Sequence, residues 1–238
     1  MFDTIAFDAD DTLWENEIYY RRSKEQFIDI LTLYTGDRDG AGNRLDEIEV
    51  GNVEIYGYGI KSFTLSMLEA AIEISQGRIQ ADGLDKIISL GRQMLATRVQ
   101  LFPHSLDVLQ ELVKDWRLML ITKGDVFEQS LKIERTGLKD YFRYIEIVGT
   151  KDAATYRKIF ERYQIDPLQI VMVGNSLRSD ILPILELGGK AVYIPYEFTW
   201  FHEHIDDQEI SHDGYHELDN LQQLPAFIRQ LVQNEEAI

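Results

Sequence analysis

The chain is 238 residues long, with 41 acidic against 24 basic residues and a formal net charge of −17. Such a balance opposes nucleic-acid polymers and anionic membrane surfaces and attracts divalent cations. The length fits one large domain or a core with a smaller insert, 45% apolar and 27% charged residues is ordinary globular usage, and the lack of cysteine excludes disulfides, thiolate zinc sites and cysteine nucleophiles.

The first predicted element is an apolar run over residues 4–8, which breaks into "DADDTL". It lacks the basic start and long apolar core of a signal peptide, and no apolar run reaches membrane-spanning length, so a cytoplasmic protein is expected. From Trp14 to about Gln100 there is no strand pattern. Helical periodicity covers 19–34, 60–75 and 84–99, while "TGDRDGAGNR" at 35–44, rich in glycine and charge, reads as a mobile loop. So long an insertion is expected to be a separate helical subdomain, dividing the chain into a core of 1–13 and 101–238 and a cap of 14–100. Within it Arg21, Arg22 and Lys24 read as a solvated helix face, with an anionic substrate as the alternative partner.

Beyond the insertion, strands are predicted at 117–122, 144–148, 170–174 and 191–194. Their apolarity is continuous rather than alternating, which suits strands buried on both faces of a parallel sheet. Helical stripes lie between them: Leu106, Leu109, Leu112 and Val113, then Tyr156, Ile159, Phe160 and Tyr163 with Asp152 as N-cap. Gly188 and Gly189 stop the helix after the "VGN" strand, and Leu221, Leu224, Phe227, Ile228 and Leu231 mark a last amphipathic helix. The alternation predicts a doubly wound, Rossmann-like α/β core with an inserted α-helical cap.

In an open parallel sheet, ligands bind beyond the carboxyl ends of the strands. The first strand delivers Asp8, Asp10 and Thr12 to that rim, the second Thr122, Lys123 and Gly124. Lys151 follows the third, and Gly174, Asn175 and Asp180 follow the fourth. The signal is this convergence of carboxylates, a hydroxyl, lysines and an amide.

"DADDT", "LITKG", "TKD" and "GNSLRSD", in this order, resemble the four motifs of the haloacid dehalogenase-like (HAD) hydrolase superfamily, over residues 4 to about 195, and the insertion resembles that superfamily's helical cap. The resemblance implies a Mg²⁺-dependent phosphatase acting on a small phosphorylated metabolite, with neither a nucleic-acid polymer nor a membrane as partner. The residue chemistry agrees. A phosphomonoester dianion repels an attacking carboxylate unless a cation intervenes, and Mg²⁺ uses one or two carboxylates plus waters and phosphate oxygens. Asp8 and Asp180 are the expected ligands, joined in the family pattern by the Asp10 main-chain carbonyl. A carboxylate nucleophile is ionised at neutral pH without an activating base, which suits Asp8. Asp10 is placed to protonate the leaving alkoxide and then to deprotonate the water that cleaves the aspartyl phosphate. Thr122 and Lys151 match the hydroxyl and ammonium that hold the phosphate, and Lys151 is favoured over Lys158, which lies inside the following helix.

Two positions depart from the pattern. Asn175 stands where an acid is common, which lowers the negative charge while leaving an amide oxygen able to bind the metal or a metal-bound water. Lys123 stands where Asn is common, and is either a phosphate contact or a solvated loop charge. Asp11 reads as a turn residue facing away, and Asp125 as a cap for the helix from Val126. His202 and His204 form a pair without a third metal ligand, and Tyr193, Tyr196, Phe198, Trp200 and Phe201 read as packing. Asp10 favours phosphoryl transfer over dehalogenation, which has no alkoxide to protonate. Phosphonate cleavage needs a cap lysine, with Lys24 and Lys61 candidates by type alone. A phosphosugar mutase shares the catalytic set, and a weakly catalytic phosphometabolite-binding protein is the remaining alternative.

Overall fold

A computed structural model describes residues 2–198, 200 and 213–236 of the chain; Phe201, His202 and His204 lie outside the described residues. Strand β1 (Thr4–Phe7) is followed by helices α1 (Glu17–Thr35), α2 (Arg38–Tyr56), α3 (Ile60–Ile74) and α4 (Ala81–Ala96). Then come α5 (Ser105–Leu112), β2 (Arg117–Lys123), α6 (Val126–Thr136), β3 (Tyr144–Val148), α7 (Ala153–Tyr163) and β4 (Ile170–Gly174). The chain closes through α8 (Leu182–Glu186), β5 (Lys190–Tyr193), β6 (Tyr215–Glu217) and α9 (Leu224–Glu236). No helix among the described residues is long and apolar enough to cross a membrane.

The chain separates into two compact units, one of Met1–Glu17, Val99–Lys123 and Gln129–Ile238, the other of Ile18–Arg98 and Gly124–Glu128. The first holds a six-stranded sheet in the order β3-β2-β1-β4-β5-β6, every pair parallel. Its central strands β1, β2 and β4 are buried on both faces because successive side chains feed different layers. Phe7, Leu118, Leu120, Val171 and Val173 pack on one side with residues of α5 and α9. Ala6, Met119, Ile121, Ile170 and Met172 pack on the other with α7 and α8. This is the doubly wound, Rossmann-like arrangement that the alternation of elements predicts. The register sets Phe7 beside Leu120 and Val173, so the carboxyl ends of the three central strands share one rim.

The helical unit is built from α1 to α4 around Phe27, Leu31, Leu45, Phe63, Met67 and Ile87. Here the loop reading of 35–44 is overturned, since most of that stretch is the start of α2. Asp37 caps the helix by accepting from the Gly40 N–H at 2.9 Å, and Ala41 and Leu45 are buried. Gly42 is a close-approach glycine, because a Cβ there would sit 3.1 Å from Ile28 Cδ1. Packing against α1 overrides the poor helix propensity of the glycines.

In the sheet unit, α5 is rotated from its predicted stripe. Leu109 and Leu112 are buried as expected, but Val108 joins them while Leu106 and Val113 face outward. Asp152 caps α7 by accepting from the Thr155 N–H at 2.7 Å. Tyr196 packs edge-on against Phe102 and Phe198, so that part of the aromatic cluster is packing.

Candidate active site

Asp8 follows β1 directly, and its main-chain N–H donates to the Val173 carbonyl of β4 at 2.9 Å. Three residues later the chain turns at Asp11, whose φ of 61° lies in the left-handed region that a short polar side chain tolerates. Asp11 does not face away. It is buried, and its carboxylate accepts from the N–H groups of Asn16 and Glu17 at 2.9 and 3.1 Å, where α1 begins. Burial, with the neighbouring Asp10 charge, pushes its carboxyl up to about 7.

Behind this turn, β4 ends at Gly174, and a single π-helical turn over Leu177–Ile181 swings Asp180 back beneath it. A Cβ on Gly174 would lie 2.4 Å from Asp180 Cγ, so only glycine leaves room for that carboxylate. The Ser176 N–H donates to Asp180 Oδ2 at 3.0 Å, Ser176 Oγ accepts from the Ser179 N–H at 2.9 Å, and the Tyr156 hydroxyl donates to the Ser179 carbonyl at 3.0 Å. The tight turn thereby keeps its buried polar groups satisfied.

Lys151 joins the two strand ends. Its ammonium donates to Asp8 Oδ1 and, at 2.7 Å, to Asp180 Oδ1. Its side chain is 2% exposed, against 9% and 1% for the two carboxylates. Burial alone would lower the Lys151 ammonium, but the Asp180 and Asp8 charges hold it well above the usual lysine range. Burial pushes the Asp8 carboxyl up to about 7, with Lys151 opposing the shift and Asp180 adding to it. Lys158 is exposed on α7. Thr12 Oγ1 lies within donor reach of both Asp8 Oδ2, at 3.1 Å, and Asn175 Oδ1, at 3.2 Å. Asp8, Lys151, Asp180, Thr12 and Asn175 are therefore one contiguous cluster.

Asp10 belongs to a second cluster on the same rim. Its carboxylate accepts from Trp14 Nε1 at 2.6 Å, from Gln129 Nε2 at 2.9 Å and from Lys132 Nζ at 2.9 Å to each oxygen. Gln129 Nε2 also lies 3.0 Å from Thr122 Oγ1, which ties Thr122 to Asp10. Lys123 reaches the other side of the rim, where its ammonium donates to Ser179 Oγ at 3.3 Å. Asp125 accepts from the Glu128 N–H at 3.0 Å, as a helix cap does.

Trp14, Asn16, Gln129 and Lys132 are site residues that sequence reasoning missed. Gln129, Lys132 and Ile133 stand at i, i+3 and i+4 on α6, with Ile133 in the apolar core. Polar residues on the inward face of a helix just after a motif strand were the available signal.

Among the described residues no three acidic, histidine or cysteine side chains gather to hold a metal ion. Mg²⁺ does not require three, since one or two carboxylates with waters and phosphate oxygens are its usual set. The donors present are hard oxygens: the Asp8 and Asp180 carboxylates and the Asn175 amide, linked through Lys151 and Thr12. Their chemistry fits Mg²⁺ rather than a soft transition metal.

The fold and the order of its strand-end residues belong to a recognisable class. The haloacid dehalogenase-like hydrolase family profile matches residues 2–188, and the chain belongs to that family. A haloacid dehalogenase-like family hydrolase from Xanthomonas campestris is 36% identical, with a TM-score of 0.86 over 100% of this chain and 95% of that one. A 2-haloacid dehalogenase from Pseudomonas syringae pv. Tomato is 21% identical, with a TM-score of 0.63 over 97% of this chain and 100% of its own. A HAD phosphatase from Thermococcus onnurineus is also 21% identical, with a TM-score of 0.61 over 95% and 98%. The last two show a shared fold, and they carry two different reactions on it. No curated protein matches the chain.

Proposed function

We propose that the chain is a Mg²⁺-dependent phosphatase that hydrolyses a small phosphomonoester through an aspartyl phosphate on Asp8. The observation that carries this reading is Asp10. A second carboxylate two residues beyond the nucleophile, held by Trp14, Gln129 and Lys132, is suited to moving a proton at a leaving oxygen. Departure of a halide needs no such group.

In the first half-reaction Asp8 attacks phosphorus, the bond from phosphorus to the leaving oxygen breaks, and a proton from Asp10 ends on that oxygen. In the second, water attacks the phosphorus of the aspartyl phosphate, its proton passes to Asp10, and the bond to Asp8 breaks to release inorganic phosphate. Lys151 orients the Asp8 carboxylate through its hydrogen bond. With Thr122 it supplies an ammonium and a hydroxyl to the charge on the transferring group. Asp8, Asp180, Asn175 and the Asp10 main-chain carbonyl would hold Mg²⁺, whose charge would offset the repulsion between the carboxylate and the phosphate dianion. Lys123, on the rim beside Ser179, would add positive charge towards the phosphate. The domain division expected from the sequence carries over into this reading, with the inserted helices as a cap that limits water.

Purified protein with Mg²⁺ should release phosphate from p-nitrophenyl phosphate and from a panel of phosphometabolites, and lose that activity with EDTA. Asp8→Asn should abolish it. Activity surviving Asp8→Asn would refute the aspartyl-phosphate route. Halide release from 2-haloacids without phosphate release would replace the reading with dehalogenation.

A further inference from the structure

We propose that Gln129 and Lys132 are positioning residues that hold the Asp10 carboxylate in register with the phosphate-binding hydroxyl of Thr122, a role that rests on the phosphatase reading above. The Lys132 ammonium has three donor directions, and three acceptors meet it: both Asp10 oxygens at 2.9 Å and Asn16 Oδ1 at 2.6 Å. This is not a solvated surface pair, since the two side chains are only 17% and 20% exposed. Gln129 is 3% exposed. Its amide nitrogen lies within 2.9–3.0 Å of Asp10 Oδ2, Thr122 Oγ1 and the Lys123 carbonyl.

Among the described residues the amide oxygen of Gln129 has no hydrogen-bond partner. A buried amide serving packing alone is normally satisfied at both ends. Here only the NH₂ end is used, and it bridges the proton-transfer carboxylate and the hydroxyl at the end of the neighbouring strand. Asp10 sits in a turn beyond β1 rather than on the strand itself, and proton transfer demands heavy-atom distances near hydrogen-bonding range. Because Gln129 and Lys132 are three residues apart on one helix, α6 presents both donors as a rigid pair. Neither residue gives up or takes a proton in the reaction. The proton moves between Asp10 and the leaving oxygen as the phosphorus–oxygen bond breaks, and then between water and Asp10.

The test compares two substrates of similar shape, p-nitrophenyl phosphate and phenyl phosphate, in wild type, Lys132→Met, Gln129→Leu and Lys132→Arg. Phenyl phosphate has the more basic leaving oxygen and depends more on a well-placed Asp10. Lys132→Met and Gln129→Leu should lower kcat/KM, which reports the first half-reaction alone, by about 10–100-fold on phenyl phosphate and by less than about 3-fold on p-nitrophenyl phosphate, while any slowing of the second half-reaction lowers kcat on both substrates alike. Lys132→Arg should restore most of the loss. In an Asp10→Asn background, Lys132→Met should cause little further change. The ratio of the two activities within one preparation does not depend on how much of it is folded, so a poorly folding variant still reports. Equal losses of kcat/KM on both substrates, or losses that multiply with Asp10→Asn, would overturn the positioning role while leaving the phosphatase reading intact. A wild-type protein that releases no phosphate from either substrate would overturn that reading and this role with it.

Discussion

Replacing Lys151 by Met removes a cation bonded to both Asp8 and Asp180 and keeps an apolar stem of similar length. Its effect is set by burial: the three side chains are 2%, 9% and 1% exposed, and the Lys151–Asp180 contact is 2.7 Å. At an effective dielectric near 20, each contact contributes on the order of 5 kcal/mol of Coulomb attraction, most of which offsets the desolvation of the charges. Breaking such a pair from one side leaves carboxylates buried without a partner and costs about 3–5 kcal/mol. Asp180→Asn in the Lys151→Met background removes one of those stranded charges. The double variant should therefore be less destabilised than the sum of the single ones by about 2–3 kcal/mol. The assay is denaturant unfolding without added metal, followed by tryptophan fluorescence. All three tryptophans, Trp14, Trp116 and Trp200, lie in the sheet unit, so the signal reports the unit that holds the pair. Additivity within about 0.5 kcal/mol would refute the argument that Lys151 stabilises the fold by pairing these carboxylates.

Two further outcomes are expected. Gly174→Ala places a Cβ 2.4 Å from Asp180 Cγ, so the carboxylate must move; stability should fall by about 1–3 kcal/mol and phosphate release with it, and a variant with unchanged melting temperature and turnover would contradict that crowding. In the helical unit, burial pushes the half-buried Glu49 carboxyl from 4.5 up to about 7, with the Asp46 charge adding and Lys24 opposing. The folded form then binds the proton more tightly than the unfolded chain, so this contribution is full below about pH 4.5 and is lost as pH rises through about 7. Relative to wild type, Glu49→Gln should gain about 1–2 kcal/mol between pH 5 and 8, after discounting for partial solvent screening. Parallel unfolding curves for both proteins across that range, read by circular dichroism, would refute it.

Much of the core was legible because β1, β2 and β4 are central strands with apolar runs, and β3 at the sheet's edge keeps such a run as well. Residues 4–8, 117–122, 144–148 and 170–174 are continuous apolar runs, and β1, β2, β3 and β4 occupy them within one residue. The sequence does not announce β6 because its three residues, Tyr215–Glu217, carry no periodicity and pair along the outer side of β5. The start of α2 was read as a loop because glycine and charge dominate its local signal, and only its contact with α1 reverses that preference. The candidate site divides in the same way. Asp8, Asp10, Thr122, Lys123, Lys151, Asn175 and Asp180 were named from strand ends, whereas Trp14, Gln129 and Lys132 were not, since their significance comes from the carboxylate they share.

By itself, the sequence determined the fold class, the family and the residue types delivered to the rim, because apolar runs and strand-end motifs are local in the chain. Tertiary structure alone decided that Lys151 lies between Asp8 and Asp180, residues 143 and 29 positions away in the chain. It also decided that α6 supplies two donors to Asp10 over separations of 119 and 122 residues. Such hydrogen bonds depend on which strand ends are neighbours and how an adjoining helix is rotated, and neither is encoded in the spacing of residues along one segment.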